Sequence, residues 1–327
     1  MQDLRNSLAE EQPRINSSLQ LALRELPPGA RPVAEHVLAA GGKRLRPFLT
    51  LLCGRALGCR DSGLYLLGAA VEMLHAATLL HDDILDNSRL RRGKPAAHTV
   101  FDPSTVILAG DAMLAKALLM VSAHGDPRLT ACISEAVMRT AEGEILEFGQ
   151  LRKASLSHEE YLDMITGKTA WMLRASCELG ALRAEADEDL VRAAASFGLE
   201  LGIAFQIVDD ALDFSPPASG KEEAGTGKPR GGDLREGKLT PPLLFYLSSL
   251  PASEASGFME RFAADLLSEA EMDSVCATVH DRGFALKARD LAGAHLERAK
   301  AALRAFPPTP ERDLLEKMTV YIQQRDQ

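Results

Sequence analysis

Helical periodicity leaves this chain few folds to choose from. The segments 65–86, 104–122, 128–149, 158–179, 188–213 and 286–305 carry apolar residues at i, i+3, i+4 and i+7, with many Ala and Leu. Strand-like alternation of β-branched residues is nearly absent. Asp126-Pro127 reads as a helix start, and Ser157 with Glu160 reads as a capping box. Gly54, Gly58, Gly125 and Gly180 read as helix terminators or close-packing points. No repeat with a period of about 20–50 residues divides the chain, and no linker interrupts it. The expectation is an all-α, single-domain bundle of ten or more helices spanning residues 1–327.

One long irregular stretch stands out. Residues 215–238, SPPASGKEEAGTGKPRGGDLREGK, hold six glycines, three prolines and five Lys/Arg. That length exceeds an ordinary connection and predicts a lid over a functional site.

Two acidic runs share one spacing. LLHDDILD supplies Asp82, Asp83 and Asp86, and FQIVDDALD supplies Asp209, Asp210 and Asp213. Each closes a strongly apolar helical segment. Residues four apart lie on one helix face, so Asp82 faces with Asp86 and Asp209 with Asp213. Such like-charge pairs destabilise an isolated helix by about 0.2–0.5 kcal/mol each. Desolvating them costs several kcal/mol more without a compensating cation. One DDxxD is usually a solvated helix end; two of them ending apolar helices call for a bound counter-charge. An all-carboxylate set favours a hard cation, Mg²⁺, which also takes phosphate oxygens. A metal phosphohydrolase built on His81-Asp82 would need further histidines, and the eight histidines form no second cluster.

Positive charge is grouped as well. GGKRLRP gives Lys43, Arg44 and Arg46, and RLRRGKP gives Arg89, Arg91, Arg92 and Lys94. TGKTAW gives Lys168 beside Thr169, and the long loop gives Lys228 and Lys238. Any one group suits a solvated surface. In a chain of net charge −9, groups flanking glycines or the acidic runs point to anionic subsites, one metal-bridged and one metal-free. The same net charge, with no long basic run, excludes duplex nucleic acid as a partner. No GxSxG, Walker loop or Rossmann fingerprint is present. None is needed if diphosphate leaves, its charge stabilised by Mg²⁺ and Lys/Arg, and then acts as base.

Five scattered cysteines without CxxC spacing favour a reducing compartment and no zinc site. The N-terminus is polar, without a secretory h-region. Apolar runs are broken by Glu72, His75 or Lys116, so no membrane span is expected, and a transient membrane contact is left open. The expected location is cytoplasmic.

GGKRLRP, LLHDDILD…RRGKP, GKT, FQIVDDALD and GKxxGxDLxxGK, in this order and at these separations, resemble the trans-isoprenyl diphosphate synthases, nearest to the bacterial octaprenyl type. The resemblance runs from about residue 30 to the C-terminus. It implies an all-α bundle around a central apolar cavity, homodimeric, with Mg²⁺ bridging both acidic runs and an allylic diphosphate. Three ions per site belong to that picture, and Mn²⁺ is an accepted substitute. Asp82, Asp86 and Asp209 are implied as direct ligands, with Asp83, Asp210 and Asp213 behind them or acting through water. Arg91, Lys168, Thr169, Gln206, Lys228 and Lys238 are implied to hold the allylic diphosphate. Lys43, Arg46, His75 and Arg92 are implied to hold isopentenyl diphosphate. Thr169 and Gln206 are also placed to steady the carbocation. The terminal YIQQRDQ resembles the family's basic tail, with Arg325 closing over the site. Two features depart from the family. The stretch between Asp213 and Gly227 is longer than usual, and Gly232 stands where a second Asp often precedes Asp233.

Product length should follow cavity depth along the first acidic helix. Ala77 and Thr78 lie five and four residues before Asp82. Short-chain members resemble this frame but carry aromatic rings there as a floor, or extra residues inside the motif. Deeper, Ala112, Met113, Leu119 and Met120 are candidate lining, with core packing as the plain alternative. The expected activity is long-chain all-trans polyprenyl diphosphate synthesis, C35–C45. The alternatives are a farnesyl or geranylgeranyl diphosphate synthase, a non-catalytic subunit of a heteromeric synthase, and a terpene cyclase, which would lack the Lys43, Arg46 and Arg92 group.

Overall fold

The computed structural model describes residues 1–215 and 231–325. The chain runs through α1 (Gln2–Arg24), α2 (Arg31–Ala39), α3 (Leu45–Ala56), α4 (Gly63–Leu85), α5 (Pro103–Ser122) and α6 (Pro127–Gln150). It continues through α7 (His158–Ile165), α8 (Trp171–Arg183), α9 (Glu188–Leu212), α10 (Gly232–Glu236) and α11 (Pro241–Ser248). The last elements are α12 (Ala252–Ala263), α13 (Glu269–Asp281), α14 (Phe284–Ala302) and α15 (Pro310–Gln323). Among the described residues the only strands are β1 (Leu90–Arg91) and β2 (Lys94–Pro95), a two-residue hairpin. The fold is all-α, as the periodicity requires.

Helix starts follow local chemistry. The Asp102 carboxylate accepts from the Ser104 and Thr105 amides at the head of α5, where Pro103 has no N–H to satisfy. Asp126 caps α6, and Ser157 with Glu160 completes the expected capping box on α7. The segment 158–179 is not one α-helix, however. A π turn, Thr166–Ala170, separates α7 from α8. Such widened turns gather at functional sites, and this one carries Lys168 and Thr169.

α4 packs between α3 and α5, α8 against α3, α6 and α9, and α9 against α14. One apolar core joins α3, α8, α9 and α14, and a second joins α1, α2, α4, α5 and α6. α3 and α8 approach closely because Gly180 lacks a side chain; a Cβ there would lie 2.4 Å from the Thr50 carbonyl oxygen. The helices that pass through these cores, α4 and α9, each end in an acidic run.

By length and mean hydropathy, α4, α5 and α9 would suffice to cross a membrane, despite the polar interruptions that argued against a span. α4 instead buries 72% of its apolar window within the protein, whereas α5 buries only 33%. α5 therefore leaves an apolar face outside the core.

Candidate active site

The acidic runs occupy the C-terminal ends of α4 and α9, and neither helix carries a basic residue in its last turn. The helix dipole adds partial negative charge at the same points. The local field is therefore strongly attractive to cations.

The carboxylates of the two runs differ in how well they are satisfied. Asp83 is buried and pairs with Arg91. Asp210 is buried and accepts from Tyr161 Oη at 2.6 Å and from Gln206 Nε2 at 2.7 Å. Burial, with Asp233 nearby, pushes the Asp210 carboxyl up to about 8. The Asp213 carboxylate accepts from the Gly232 and Asp233 amides, at 3.1 and 3.0 Å, and so fixes the start of α10. Asp82 has no hydrogen-bond partner among the described residues. Burial first, then Glu144 and Asp86 beside it, push the Asp82 carboxyl up to about 7. Asp86 has only Lys238 Nζ, at 3.8 Å. Asp209 is raised by burial and accepts from Arg325 Nη1 at 2.5 Å.

The β1–β2 hairpin brings the arginines in. Its turn residues Arg92 and Gly93 both adopt positive φ, 54° and 73°, which matches the strand twist of a tight hairpin. Arg91 thereby meets Asp83, and Arg92 donates to the Gly41 carbonyl.

Lys168 sits on the π turn against α6. A Cβ on Gly143 would lie 2.1 Å from the Lys168 amide nitrogen, so only glycine allows this approach. Lys168 Nζ consequently reaches Glu144 at 3.1 Å and pairs with Glu147. Burial would lower the Lys168 ammonium, but Glu147 and Glu144 outweigh it and raise it above its usual range. Lys238 contacts Glu236 at 2.8 Å and Glu147 at 3.6 Å. Thr169 Oγ1 donates to Gln206 Oε1 at 2.7 Å, continuing the chain Thr169–Gln206–Asp210–Tyr161. Lys168, Gln206, Asp210 and Lys238 line one cavity.

A second cationic group lies beside α3. Arg46 is half-buried, its buried Nε has no partner among the described residues, and desolvation lowers its pKa. Burial, together with Arg46 and Arg92, holds His75 well below its usual range, so its ring is neutral at pH 7. Lys43 is exposed, and both it and Arg46 act electrostatically on Asp209. This is a cation-rich group, suited to an anion. Arg44 is not available to it. Its donors go to Asn16 Oδ1 at 3.2 Å, Glu72 Oε1 at 2.7 Å and the Leu38 carbonyl at 3.0 Å. Arg44 pins the loop that carries Lys43.

Lys228 falls outside the described residues, as does residues 216–230 of the expected lid. The structure adds Glu144, Glu147 and Glu72, which the sequence reading missed. A signal existed for the first pair: Gly143 and Glu147 share one face of α6 in GEILEFGQ.

Ala77 is buried, Thr78 Oγ1 donates to the His75 carbonyl at 2.9 Å, and Met113 is buried. Ala112 and Met120 are half-buried. Leu119 is a correction. It is 64% exposed and faces away from the core, so it lines no cavity within this chain. α5 rotates it outward because 113, 117 and 121 hold the inward stripe.

The carboxylates fit a hard divalent cation. The donors are all oxygen, and Asp82 and Asp86 lack strong partners. No three metal-ligating side chains converge on one point among the described residues. One or two carboxylates per ion, completed by water and phosphate oxygens, is the pattern of Mg²⁺.

The polyprenyl synthetase family model matches residues 28–279. The chain is 34% identical to the geranylgeranyl pyrophosphate synthase of Geoglobus acetivorans, over 95% of this chain and 96% of that protein. It is 32% identical to the octaprenyl diphosphate synthase of Escherichia coli (strain K12), over 96% of this chain and 93% of that one. Among solved structures it resembles a polyprenyl synthase from Caulobacter crescentus CB15, complexed with calcium and isoprenyl diphosphate. There the TM-score is 0.89 and the identity 35%, covering 98% of this chain and 97% of that one.

Proposed function

The chain belongs to the polyprenyl synthetase family, the trans-isoprenyl diphosphate synthases, and from that premise we propose a long-chain synthase that condenses isopentenyl diphosphate repeatedly onto an allylic diphosphate. It is a prenyltransferase; the chain length and the residue roles below are our reading.

The observation that carries this reading is the cavity where Lys168, Lys238 and Gln206 meet Asp210, with Lys238 also reaching Asp86 of the other acidic run. Lys168, Lys238, Arg91 and Lys228 are assigned to the allylic diphosphate, with Thr169 and Gln206. Asp82, Asp86 and Asp209 are assigned to Mg²⁺, which when bound stabilises the charge developing on the leaving diphosphate. That the Caulobacter protein is complexed with calcium and isoprenyl diphosphate supports a divalent ion in the reaction. Asp83, Asp210 and Asp213, each held by neighbours, orient the runs.

The chain's own residues order the reaction. Lys168 and Lys238 hold the diphosphate so that its allylic C–O bond breaks with both electrons leaving on oxygen. The Thr169–Gln206 pair presents oxygen dipoles to the resulting carbocation. Lys43, Arg46, Arg92 and neutral His75 hold isopentenyl diphosphate so that its double bond attacks the cation. The proton lost in forming the new double bond goes to the departed diphosphate.

A long product follows from small Ala77, where no ring closes the path along α4. Each CH₂ buried there contributes about 0.8 kcal/mol to retention of the chain. A short-chain synthase is the second reading, since geranylgeranyl and octaprenyl enzymes are similarly close relatives. Both acidic runs are intact, which argues against a non-catalytic subunit. We further propose a homodimer: α5 exposes Leu108 and Leu119, and neighbouring α6 exposes Ile145 and Phe148. None of the five cysteines forms a disulfide among the described residues, in keeping with a cytoplasmic setting.

The test is incubation of the purified protein with Mg²⁺, farnesyl diphosphate and labelled isopentenyl diphosphate. Incorporation into C35–C45 products is expected. Products ending at C15–C20 with shorter primers would establish the short-chain reading, and no incorporation with any primer would exclude both.

A further inference from the structure

Thr240 opens α11, followed by Pro241 and Pro242. Threonine is a good N-cap residue because its hydroxyl accepts from the second or third amide of the helix. Here the second position is proline, without an amide hydrogen, and the hydroxyl makes no bond to the third either. Thr240 is only 4% exposed, and its Oγ1 has no hydrogen-bond partner among the described residues. Thr240 also lines the cavity that Lys168, Gln206 and Lys238 line. A second lining residue, Gln150, has a buried Oε1 that is also without a partner among the described residues.

A buried hydroxyl that neither caps its helix nor finds a neighbour is destabilising twice over. That cavity carries two lysines, Lys168 and Lys238, together with the carboxyl groups of Glu147, Asp210 and Asp233. A donor without a partner thus shares a cavity with two ammonium groups, an arrangement an oxyanion satisfies. Resting on the synthase reading above, we propose that the Thr240 hydroxyl contacts the allylic diphosphate directly, donating to one of its oxygens beside Lys168 and Lys238. Water held by the bound diphosphate would then donate to Gln150 Oε1.

Thr240→Val keeps the branched shape and removes the hydroxyl; Thr240→Ser keeps the hydroxyl. Calorimetric titration with farnesyl diphosphate and Mg²⁺, steady-state kinetics and thermal melts are compared across the three proteins. The valine variant is expected to weaken farnesyl diphosphate binding and raise its KM about ten-fold. The KM for isopentenyl diphosphate and the melting temperature should stay as in wild type, and serine should restore binding. Unchanged farnesyl diphosphate affinity in the valine variant would overturn the contact. So would a lowered melting temperature accompanied by equal changes in both KM values, which marks a helix cap. If wild type binds farnesyl diphosphate in a Thr240-dependent way yet incorporates no isopentenyl diphosphate, the synthase reading fails and the contact stands.

Discussion

Arg325 Nη1 lies 2.5 Å from Asp209 Oδ1, joining the last described residue to the second acidic run. The guanidinium also stacks 4.4 Å above the Phe205 ring, one turn before Asp209. Arg289 holds the tail in place by donating to the Gln323 and Arg325 carbonyls. The C-terminus therefore supplies a cation to a carboxylate assigned to metal. Arg325→Gln should lower the melting temperature in chelator by about 1–3 °C. Added Mg²⁺ should then stabilise the variant more than wild type, because the Arg325 guanidinium no longer competes for Asp209. Equal Mg²⁺-induced shifts in thermal melts would rule this out.

Asp82→Ala and Asp209→Ala separate catalytic from structural roles. The Asp82 carboxylate has no hydrogen-bond partner among the described residues, and burial with Glu144 and Asp86 nearby disfavours its ionised form. Removing it should leave the melting temperature within a few degrees of wild type or raise it. Turnover should fall by about 10²-fold or more, the scale of losing a main electrostatic contact to a leaving group. Comparable losses of stability and rate would assign these residues to the fold instead.

Glu147 compensates two lysines at once, Lys168 and Lys238. Glu147→Gln leaves those ammonium groups facing each other. The free protein should be less stable, and inorganic pyrophosphate should restore it. Pyrophosphate should also bind several-fold tighter, since it no longer displaces an internal carboxylate. Calorimetry showing weaker binding would make Glu147 a ligand-orienting group and not a competitor.

Ala77→Tyr places a ring at a buried position on α4, toward the first acidic run. The product should shorten by several isoprene units. Mass analysis of the products decides it; an unchanged distribution would remove Ala77 from the path of the growing chain.

Glu11 gives a pH dependence whose sign is fixed. Its carboxylate accepts from Tyr65 Oη at 2.6 Å and from Arg55 Nη1 at 2.8 Å, tying α1 to α3 and α4. Burial opposes its ionisation, but Arg55 and Tyr65 outweigh that and hold it below its usual range. A lowered carboxylate stabilises fully above its ordinary pKa and ceases to do so as pH falls through the lowered value. Glu11→Gln should cost about 1–3 kcal/mol at pH 7. The gap in melting temperature should close below about pH 4. A gap that persists at low pH would show that packing, not charge, is lost.

Much of this molecule could be read from the chain because its signals are local. Periodicity set the helices, Ser157 and Glu160 set a cap, and DDxxD spacing placed paired carboxylates on one face. The interruption at Thr166–Ala170 was not readable, since its apolar pattern continues across it and only packing against Gly143 reveals the widened turn. Glu72, Glu144 and Glu147 were equally hidden. An isolated glutamate on a helix looks like surface until a distant lysine or arginine is brought to it.

The sequence by itself determined an all-α chain, two acidic helix ends and the clusters of cations meant for anions. These follow from residue type and spacing within a few helical turns. Tertiary structure alone decided which charges neutralise one another and which stay open. It gave Asp83 to Arg91 and Arg44 to Glu72, turned Leu119 outward, and left the Asp82 carboxylate, Arg46 Nε and Thr240 Oγ1 without hydrogen-bond partners among the described residues. Those pairings join residues far apart in the chain, and no local rule carries the distance between them.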